Sequence, residues 1–164
     1  MVDTTWQCAA IDHGVTIFPN GKIGPCCQVD STYLKPISEL SNPDRFADLK
    51  TQECPPNHPC NKCAINEHHG LPSYRTTFDN AVTSAPGLQF VDIRNTNLCN
   101  LKCRMCSHGL SSSWHEDTLK LYELRGMKKY SNKKFIHSDC FDKIEPYLEH
   151  AQEIYFAGGE PLLY

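Results

Sequence analysis

Short apolar runs separated by turn residues predict a β-hairpin near the start of the chain. The runs over residues 14–18 and 22–24 flank Asn20-Gly21, the pair that favours a type I′ turn between two antiparallel strands. A hairpin at this place folds Cys26 back towards the strand that follows Cys8. The pattern therefore predicts that cysteines distant in sequence come near each other.

The hydrophobic positions that follow predict one short helix and then a loop. Asn42-Pro43 is a typical helix start, and Phe46 and Leu49 then fall on one face of the helix. Three prolines between residues 55 and 59 come next, and proline at this density ends regular structure. We therefore expect a loop there.

The second half of the chain has the pattern of a strand, two helices and a second strand. Leu88–Ile93 begins with alternating polarity after Pro86-Gly87, which predicts a strand. The apolar positions of residues 111–125 predict a helix, and Asp139 can cap another. Residues 153–157 predict a second strand. This order is typical of a parallel crossover.

Between the two halves, residues 76–87 are rich in Thr, Ser, Ala, Asn and Pro, a composition that predicts a linker or irregular connection. We therefore divide the chain into residues 1–75, the linker 76–87 and residues 88–164. No internal repeat or low-complexity tract interrupts this division.

Charge and hydropathy exclude two classes of partner. The formal net charge of -3 gives no electrostatic reason to expect nucleic-acid binding. No apolar stretch approaches the roughly 20 residues of a membrane helix, so no membrane partner is expected. The N-terminus also lacks the basic and apolar regions of a signal peptide, and we expect a cytoplasmic location.

Cysteine is the residue type that departs most from ordinary composition, with ten in 164 residues. In a reducing cytosol, cysteines at this density indicate metal binding or catalysis more than disulfides. Six lie in the first 63 residues, and three form the triplet Cys99, Cys103 and Cys106. Cys140 stands alone and is expected to be a buried core thiol.

The triplet has the spacing C-x3-C-x2-C. Three thiolates within eight residues can bind one face of a cubic iron–sulfur cluster and leave one iron without a protein ligand. An open metal position is where a small molecule can bind and react. Zinc bound with a distant histidine such as His108, or three simply buried thiols, are the other interpretations of this spacing.

The triplet after one strand, followed after the next strand by Gly158-Gly159-Glu160-Pro161, resembles the radical S-adenosylmethionine superfamily. The resemblance implies that Cys99, Cys103 and Cys106 are the catalytic ligands of a [4Fe-4S] cluster, whose open iron binds S-adenosylmethionine. Cleavage of this cofactor then yields a 5′-deoxyadenosyl radical that abstracts hydrogen from a substrate. It also implies an electron donor such as a flavodoxin or ferredoxin.

The resemblance assigns further contacts to S-adenosylmethionine. The backbone of Gly158 and Gly159, with Glu160 and Pro161, is expected to line the methionine end of the cofactor. The residue before the last cysteine of the triplet is commonly aromatic in the superfamily, whereas here it is Met105. A methionine can still make an apolar contact with adenine.

The first group of cysteines is similar to the auxiliary-cluster modules called SPASM and Twitch. The smaller Twitch form holds one auxiliary [4Fe-4S] cluster on four cysteines, and the matching positions are Cys8, Cys26, Cys60 and Cys63. Cys27 and Cys54 are surplus in this assignment, and Cys54 is the alternative ligand. A small zinc-bound or disulfide-held domain is the other interpretation of this segment.

Together these patterns predict an α/β protein. A β-hairpin-plus-helix module of the Twitch or SPASM type precedes the first strand–helix unit and second strand of a truncated partial (β/α)6 radical S-adenosylmethionine barrel. We expect the N-terminal portion of such an enzyme, catalytically deficient alone, with an unknown peptide or small molecule as substrate. The pocket that selects the substrate is expected downstream of Tyr164. The alternative is a non-catalytic metal-binding protein, either a zinc module or an iron–sulfur electron carrier.

Overall fold

A five-stranded mixed sheet with strand order β3-β2-β1-β4-β5 organises the chain. The computed structural model describes residues 6–51, 54, 56–127 and 134–163. The strands are β1 (Gly14–Ile17), β2 (Lys22–Gly24), β3 (Lys35–Pro36), β4 (Phe90–Ile93) and β5 (Glu153–Phe156). The α-helices are α1 (Ala9–His13), α2 (Asn61–His68), α3 (Tyr74–Ala81), α4 (His115–Leu124) and α5 (Phe141–Ile144). The coarse prediction of an α/β protein is confirmed.

The predicted hairpin is present as β1 and β2, which pair antiparallel with Thr16 opposite Gly24. Its turn is closed by two backbone hydrogen bonds, from Phe18 to Lys22 at 2.9 Å and from Gly21 to Phe18 at 3.0 Å. Gly21 adopts φ 75°, a left-handed conformation that residues with a Cβ disfavour. The Asn-Gly pair therefore identified the turn correctly, because the turn requires a left-handed conformation that glycine adopts readily.

The predicted strand–helix–strand order of the second half is also confirmed. Strands β4 and β5 pair parallel, with Phe90 opposite Glu153 and Ile93 opposite Phe156. The helix expected over residues 111–125 consists of a 3-10 turn, Ser112–Trp114, followed by α4.

Strand β1 pairs parallel with β4, which joins the two halves of the chain in one sheet. Thr16 lies opposite Asp92 in this register, across 76 residues of sequence. Neither the hairpin signal nor the β4 pattern predicted this pairing. The division at residues 76–87 stays a prediction about domains, but strands from both sides of it share a sheet.

Residues 74–81 are helical, which differs from the irregular connection expected from residue 76 onwards. Helix α3 begins with a capping box, in which the Ser73 side chain accepts from the backbone N–H of Thr76 and the Thr76 side chain accepts from that of Ser73. Such reciprocal bonds stabilise a helix start even in a Thr- and Asn-rich segment. The Thr- and Asn-rich composition of residues 76–87 led to the expectation of a linker, although the capping box at Ser73 and Thr76 indicates a helix start.

The helix expected after Asn42 is a second difference. Instead of one helix, the chain forms the 3-10 turns Ile37–Ser41 and Ala47–Leu49. Phe46 and Leu49 are nevertheless both buried, as their apolar character predicts. Packing of these two side chains thus does not require a continuous α-helix.

The hydrophobic core lies on one face of the sheet. Cys140 belongs to it with 1% exposure, which confirms the expectation of a buried thiol. The other buried members of this cluster are Ile11, Val15, Ile17, Ile23, Val29, Leu40, Phe46, Leu49, Leu88, Val91, Ile93 and Ile144. Among the described residues, no helix has the length and apolar character needed to cross a membrane.

Candidate functional site

The cysteine triplet and the Gly-Gly-Glu-Pro segment meet at one edge of the sheet. The triplet follows β4, and the glycines follow β5. Because the two strands are adjacent and parallel, the segments that follow them leave the sheet side by side. A backbone hydrogen bond of 3.0 Å from Ala157 to Ile93 holds the two strand ends together.

Backbone contacts join the glycine segment directly to the cysteine loop. The N–H of Glu160 donates to the carbonyl of Leu98 at 2.7 Å, and the N–H of Gly159 donates to that of Leu110 at 2.9 Å. A Cβ atom on Gly159 would lie 2.3 Å from the Leu98 oxygen, a distance at which the two atoms clash. Gly159 also has φ 63°. This position therefore requires glycine for both conformation and space.

The three thiols of the triplet face the same small region. Cys99 and Cys106 are half-buried and Cys103 is exposed. Partial burial, followed by the nearby thiols of Cys103 and Cys99, raises the pKa of Cys106. Thiols that raise each other's pKa lie near one another. The described residues nevertheless show no preassembled metal site at the triplet.

Polar side chains just before α4 fasten the cysteine loop. The hydroxyl of Ser113 donates to the carbonyl of Cys99 at 2.7 Å, and the indole of Trp114 donates to that of Cys103 at 3.1 Å. The hydroxyl of Ser111 donates to the Leu101 carbonyl at 2.7 Å. The backbone of the triplet is thus fixed by side chains, and the Cys99 sulfur also accepts a hydrogen bond from the backbone N–H of Leu101 at 3.4 Å.

Asn97 is the buried anchor of the same loop. Its amide nitrogen donates to the carbonyls of His108 and Lys134, both at 3.1 Å, and its amide oxygen accepts from Ile136 at 2.8 Å. The side chain is fully buried. Asn97 therefore ties the start of the cysteine loop to two distant segments of the chain.

The other residues assigned to S-adenosylmethionine lie around this loop with different exposure. Met105 is 91% exposed, so its side chain is available to a ligand. Glu160 is half-buried, and Pro161 begins a 3-10 turn over Pro161–Leu163 at the surface.

A second site is built by the first group of cysteines. One small cavity is bordered by all four cysteines to which the resemblance assigned an auxiliary cluster: Cys8, Cys26, Cys60 and Cys63. Cys8 precedes α1, Cys26 follows the hairpin, and Cys60 and Cys63 lie at the start of α2. The hairpin and the short helix therefore bring together thiols that are up to 55 residues apart in sequence.

Burial dominates the acidity of these thiols. It raises the pKa of Cys8 and of Cys26 to about 12 and that of Cys60 to about 11. Unliganded, the three thiols are therefore neutral at physiological pH. A cation in the cavity reverses this balance, because metal binding releases the thiol protons.

Aromatic and charged side chains border the four-thiol cavity. Trp6 and Arg75 both lie in its wall, with the Arg75 guanidinium 4.6 Å from the centre of the Trp6 ring. Arg75 also pairs with Glu67 and, at 3.2 Å, with Asp79. Two carboxylates therefore balance this cation, and Asp79 adds to the effect of burial in raising the pKa of Cys8.

The four cysteines border a common cavity but do not form a preassembled metal site. In the described ranges, no group of three or more His, Cys, Asp and Glu side chains is arranged to hold one metal ion. Cysteine thiolate is the ligand type that iron–sulfur clusters use, so the donor chemistry of the cavity suits such a group.

The two surplus cysteines are not among the residues that border this cavity. Cys54 nevertheless lies beside the group, because burial and the nearby Cys63 thiol raise its pKa, and the Cys54 thiol adds to the effect of burial on the pKa of Cys60. Cys27 borders a different and larger cavity of about 320 Å³. His68 and His69 are exposed at the end of α2.

Sequence reasoning missed this larger cavity and the charged pair that borders it. Arg94 donates from Nε to both carboxylate oxygens of Asp92 at 2.9 Å, and from Nη2 at 2.8 Å. The sequence placed both residues at or next to strand β4. It did not predict the cavity, because helix α3, which covers it, lies largely in the segment expected to be a linker.

Comparison of the chain with protein-family models, with curated proteins and with solved structures gave no match. The fold and the two cysteine sites define a mixed α/β protein with a thiol-rich sheet edge.

Proposed function

We propose that this chain is the N-terminal portion of a radical S-adenosylmethionine enzyme with one auxiliary cluster, built as a Twitch-like module before a partial (β/α)6 barrel. The observation that supports it most is the 2.7 Å hydrogen bond from Glu160 to Leu98, which joins the Gly-Gly-Glu-Pro segment to the residue before Cys99. Two motifs that are separate in sequence thereby form one site.

Each part of this site has a role in the proposal. Cys99, Cys103 and Cys106 would hold a [4Fe-4S] cluster with one iron open to S-adenosylmethionine. Such a cluster would supply the electron for reductive cleavage of that cofactor. The backbone of Gly158 and Gly159 would bind its methionine end, and Met105 would contact its adenine. Because Cys103 is exposed, a flavodoxin or ferredoxin can approach this cluster closely.

The four-thiol cavity holds the auxiliary [4Fe-4S] cluster in this proposal. The chain contributes the four cysteine sulfurs and a cavity wall that includes the rings of Trp6, Tyr74 and Phe78.

Anaerobic reconstitution of the chain with iron and sulfide tests the proposal. We expect about eight irons per chain, four on each site, with broad visible absorption. The electron paramagnetic resonance spectrum of the reduced chain should change when S-adenosylmethionine is added. Zinc without colour would instead identify a zinc module, and iron without a response to S-adenosylmethionine would identify an electron carrier.

Cysteine variants assign the two sites. Cys99→Ala should lose about four irons and the response to S-adenosylmethionine, whereas Cys60→Ala should lose about four irons and keep the response. Cys140→Ala is the matched control, because this thiol lies in the core, and it should keep both. Loss of the response in Cys60→Ala but not in Cys99→Ala would contradict the assignment.

A further inference from the structure

The cavity of about 320 Å³ lies between α3 and the face of the sheet opposite the core. One wall is aromatic. The ring centres of Phe78 and Phe90 are 4.9 Å apart, and those of Tyr74 and Phe78 are 6.2 Å apart. A volume of this size is at the lower end of small-molecule sites. The cavity can therefore hold one ring and a short chain.

The polar side of the cavity has one cation with an available donor. Asp92 holds the Arg94 guanidinium through Nε and Nη2. In the described part of the chain, Nη1 of Arg94 makes no hydrogen bond. The side chain is only 21% exposed, so its charge is weakly screened. A fixed guanidinium with a free edge is a site for a carboxylate.

The remaining charges select against more strongly charged anions. Glu153 borders the cavity beside Phe90, and Asp92 borders it beside Arg94. One guanidinium thus faces two carboxylates, of which Asp92 is paired with it and Glu153 is exposed to water. Repulsion by the net negative charge is about twice as strong for a dianionic phosphate as for a monoanionic carboxylate, and only a carboxylate with an apolar body also gains from the aromatic wall.

The cavity also lies between the two cysteine sites. Tyr74 and Phe78 border both it and the four-thiol cavity. On the other side, a Cβ atom on Gly158 would lie 3.1 Å from the Cβ of Arg94. A ligand in this cavity is therefore near both sites at once.

We propose that this cavity binds a small carboxylate with an aromatic body. The carboxylate accepts from Nη1 of Arg94, and the ring packs against Tyr74, Phe78 and Phe90. The identification of this ligand as the substrate of the chain rests on the proposed function. Part of the substrate pocket then lies within this chain, in addition to any part supplied downstream of Tyr164.

Binding of 3-phenylpropionate and of its uncharged amide to the metal-free chain tests the proposal by calorimetry. We expect the acid to bind at least tenfold more tightly than the amide and to resist competition by inorganic phosphate. Arg94→Gln should abolish the difference between acid and amide. Because that variant leaves Asp92 unpaired, the double variant Asp92→Asn/Arg94→Gln is measured beside it and should behave alike.

Two further variants complete the test. Phe78→Ala removes the central ring of the aromatic wall and should weaken binding of both compounds, whereas Arg125→Gln, at an exposed arginine after α4, should change neither. Equal affinity for acid and amide, no binding of either, or unchanged selectivity in the double variant overturns the proposal. Since these measurements use no metal, failed cluster assembly with intact binding overturns only the proposed function.

Discussion

The backbone N–H of Glu160 donates to the carbonyl of Leu98 at 2.7 Å, one residue before the first cysteine of the triplet. Any movement of the segment after β5 is therefore transmitted to the cysteine loop. The neighbouring glycines lie against the same loop, and their lack of a side chain permits the contact.

Gly159→Ala should destabilise the chain more than an alanine at a comparable glycine. Gly126 has a similar φ of 61° but meets no atom within 4 Å, so Gly126→Ala should cost only the left-handed strain of about 1–2 kcal/mol. At Gly159 the clash with the Leu98 oxygen adds about 1–3 kcal/mol. Urea denaturation measures both variants, and equal losses would show that the contact is absent in solution.

Asn97→Ala should lower the free energy of unfolding by about 2–4 kcal/mol, because three side-chain hydrogen bonds are lost in a buried place. Asn100→Ala is the matched control within the same loop, and as an exposed position it should stay within about 0.5 kcal/mol. Thermal or urea unfolding compares the two. A loss below 1 kcal/mol, on the scale of one hydrogen bond, would contradict the role of Asn97 as anchor.

The pair of Glu67 and Arg75 should make stability depend on pH. Burial alone would raise the pKa of Glu67, but hydrogen bonds from Arg75 and Ser73 outweigh it and hold the pKa below its usual value. The ionised carboxylate therefore stabilises the fold above the unfolded pKa of about 4.3, and this contribution is lost as pH falls further.

Glu67→Gln tests this dependence. At pH 7 it should lower the free energy of unfolding by about 1–3 kcal/mol, and the difference from the parent chain should shrink below about pH 4. Glu116→Gln is the control, since Glu116 is 74% exposed and its nearest cation is 3.9 Å away. A difference that is constant from pH 3 to pH 8, the range around that unfolded value, would contradict the assignment.

Cys54→Ser should keep the full iron content, whereas Cys8→Ser should lose about four irons. The reason is geometric, because Cys8 borders the four-thiol cavity and Cys54 does not. Iron analysis after anaerobic reconstitution measures both variants. Loss of iron in Cys54→Ser but not in Cys8→Ser would instead identify Cys54 as a ligand of the cluster.

Strand β5 should cause the isolated chain to associate. It lies at the edge of the sheet, and its side chains Ile154, Tyr155 and Phe156 are 42–56% exposed. Exposed apolar edge strands pair with other chains, and an added charge prevents it. Phe156→Lys should therefore reduce association in sedimentation velocity, whereas Leu124→Lys on α4 should not. A parent chain that is monomeric at tens of micromolar would contradict this prediction.

Local signals predicted the elements that depend on neighbouring residues. The turn at Asn20-Gly21 follows from residue preferences over a few positions, and the parallel order of β4 and β5 follows from the strand–helix–strand order of elements. The short strand β3 and helix α1 gave no such signal, since Lys35-Pro36 is too short for a periodic pattern and Ala9–His13 is too short for a helical one. Both form because the sheet and core provide partners.

The candidate sites show the same distinction. The sequence motifs identified the cysteines that meet at each site, but the burial that sets the pKa of Cys8 depends on distant parts of the chain. Arg94 could not be singled out, because the helix that lies over it and Asp92 approaches strand β4 only in three dimensions. The sequence shows that Asp92 and Arg94 are charged, but not which face of the sheet their side chains occupy.

The pairing of β1 with β4 has a consequence for how the chain is made. During synthesis, the edge of β1 that later receives β4 stays open until 76 further residues have left the ribosome. Contacts of such long range form slowly, and an open edge can meet the wrong partner meanwhile. The edge of β1 is thus covered only when the second half of the chain has been synthesised. A ribosome paused before residue 90 would carry an intermediate whose open strand edge can pair incorrectly.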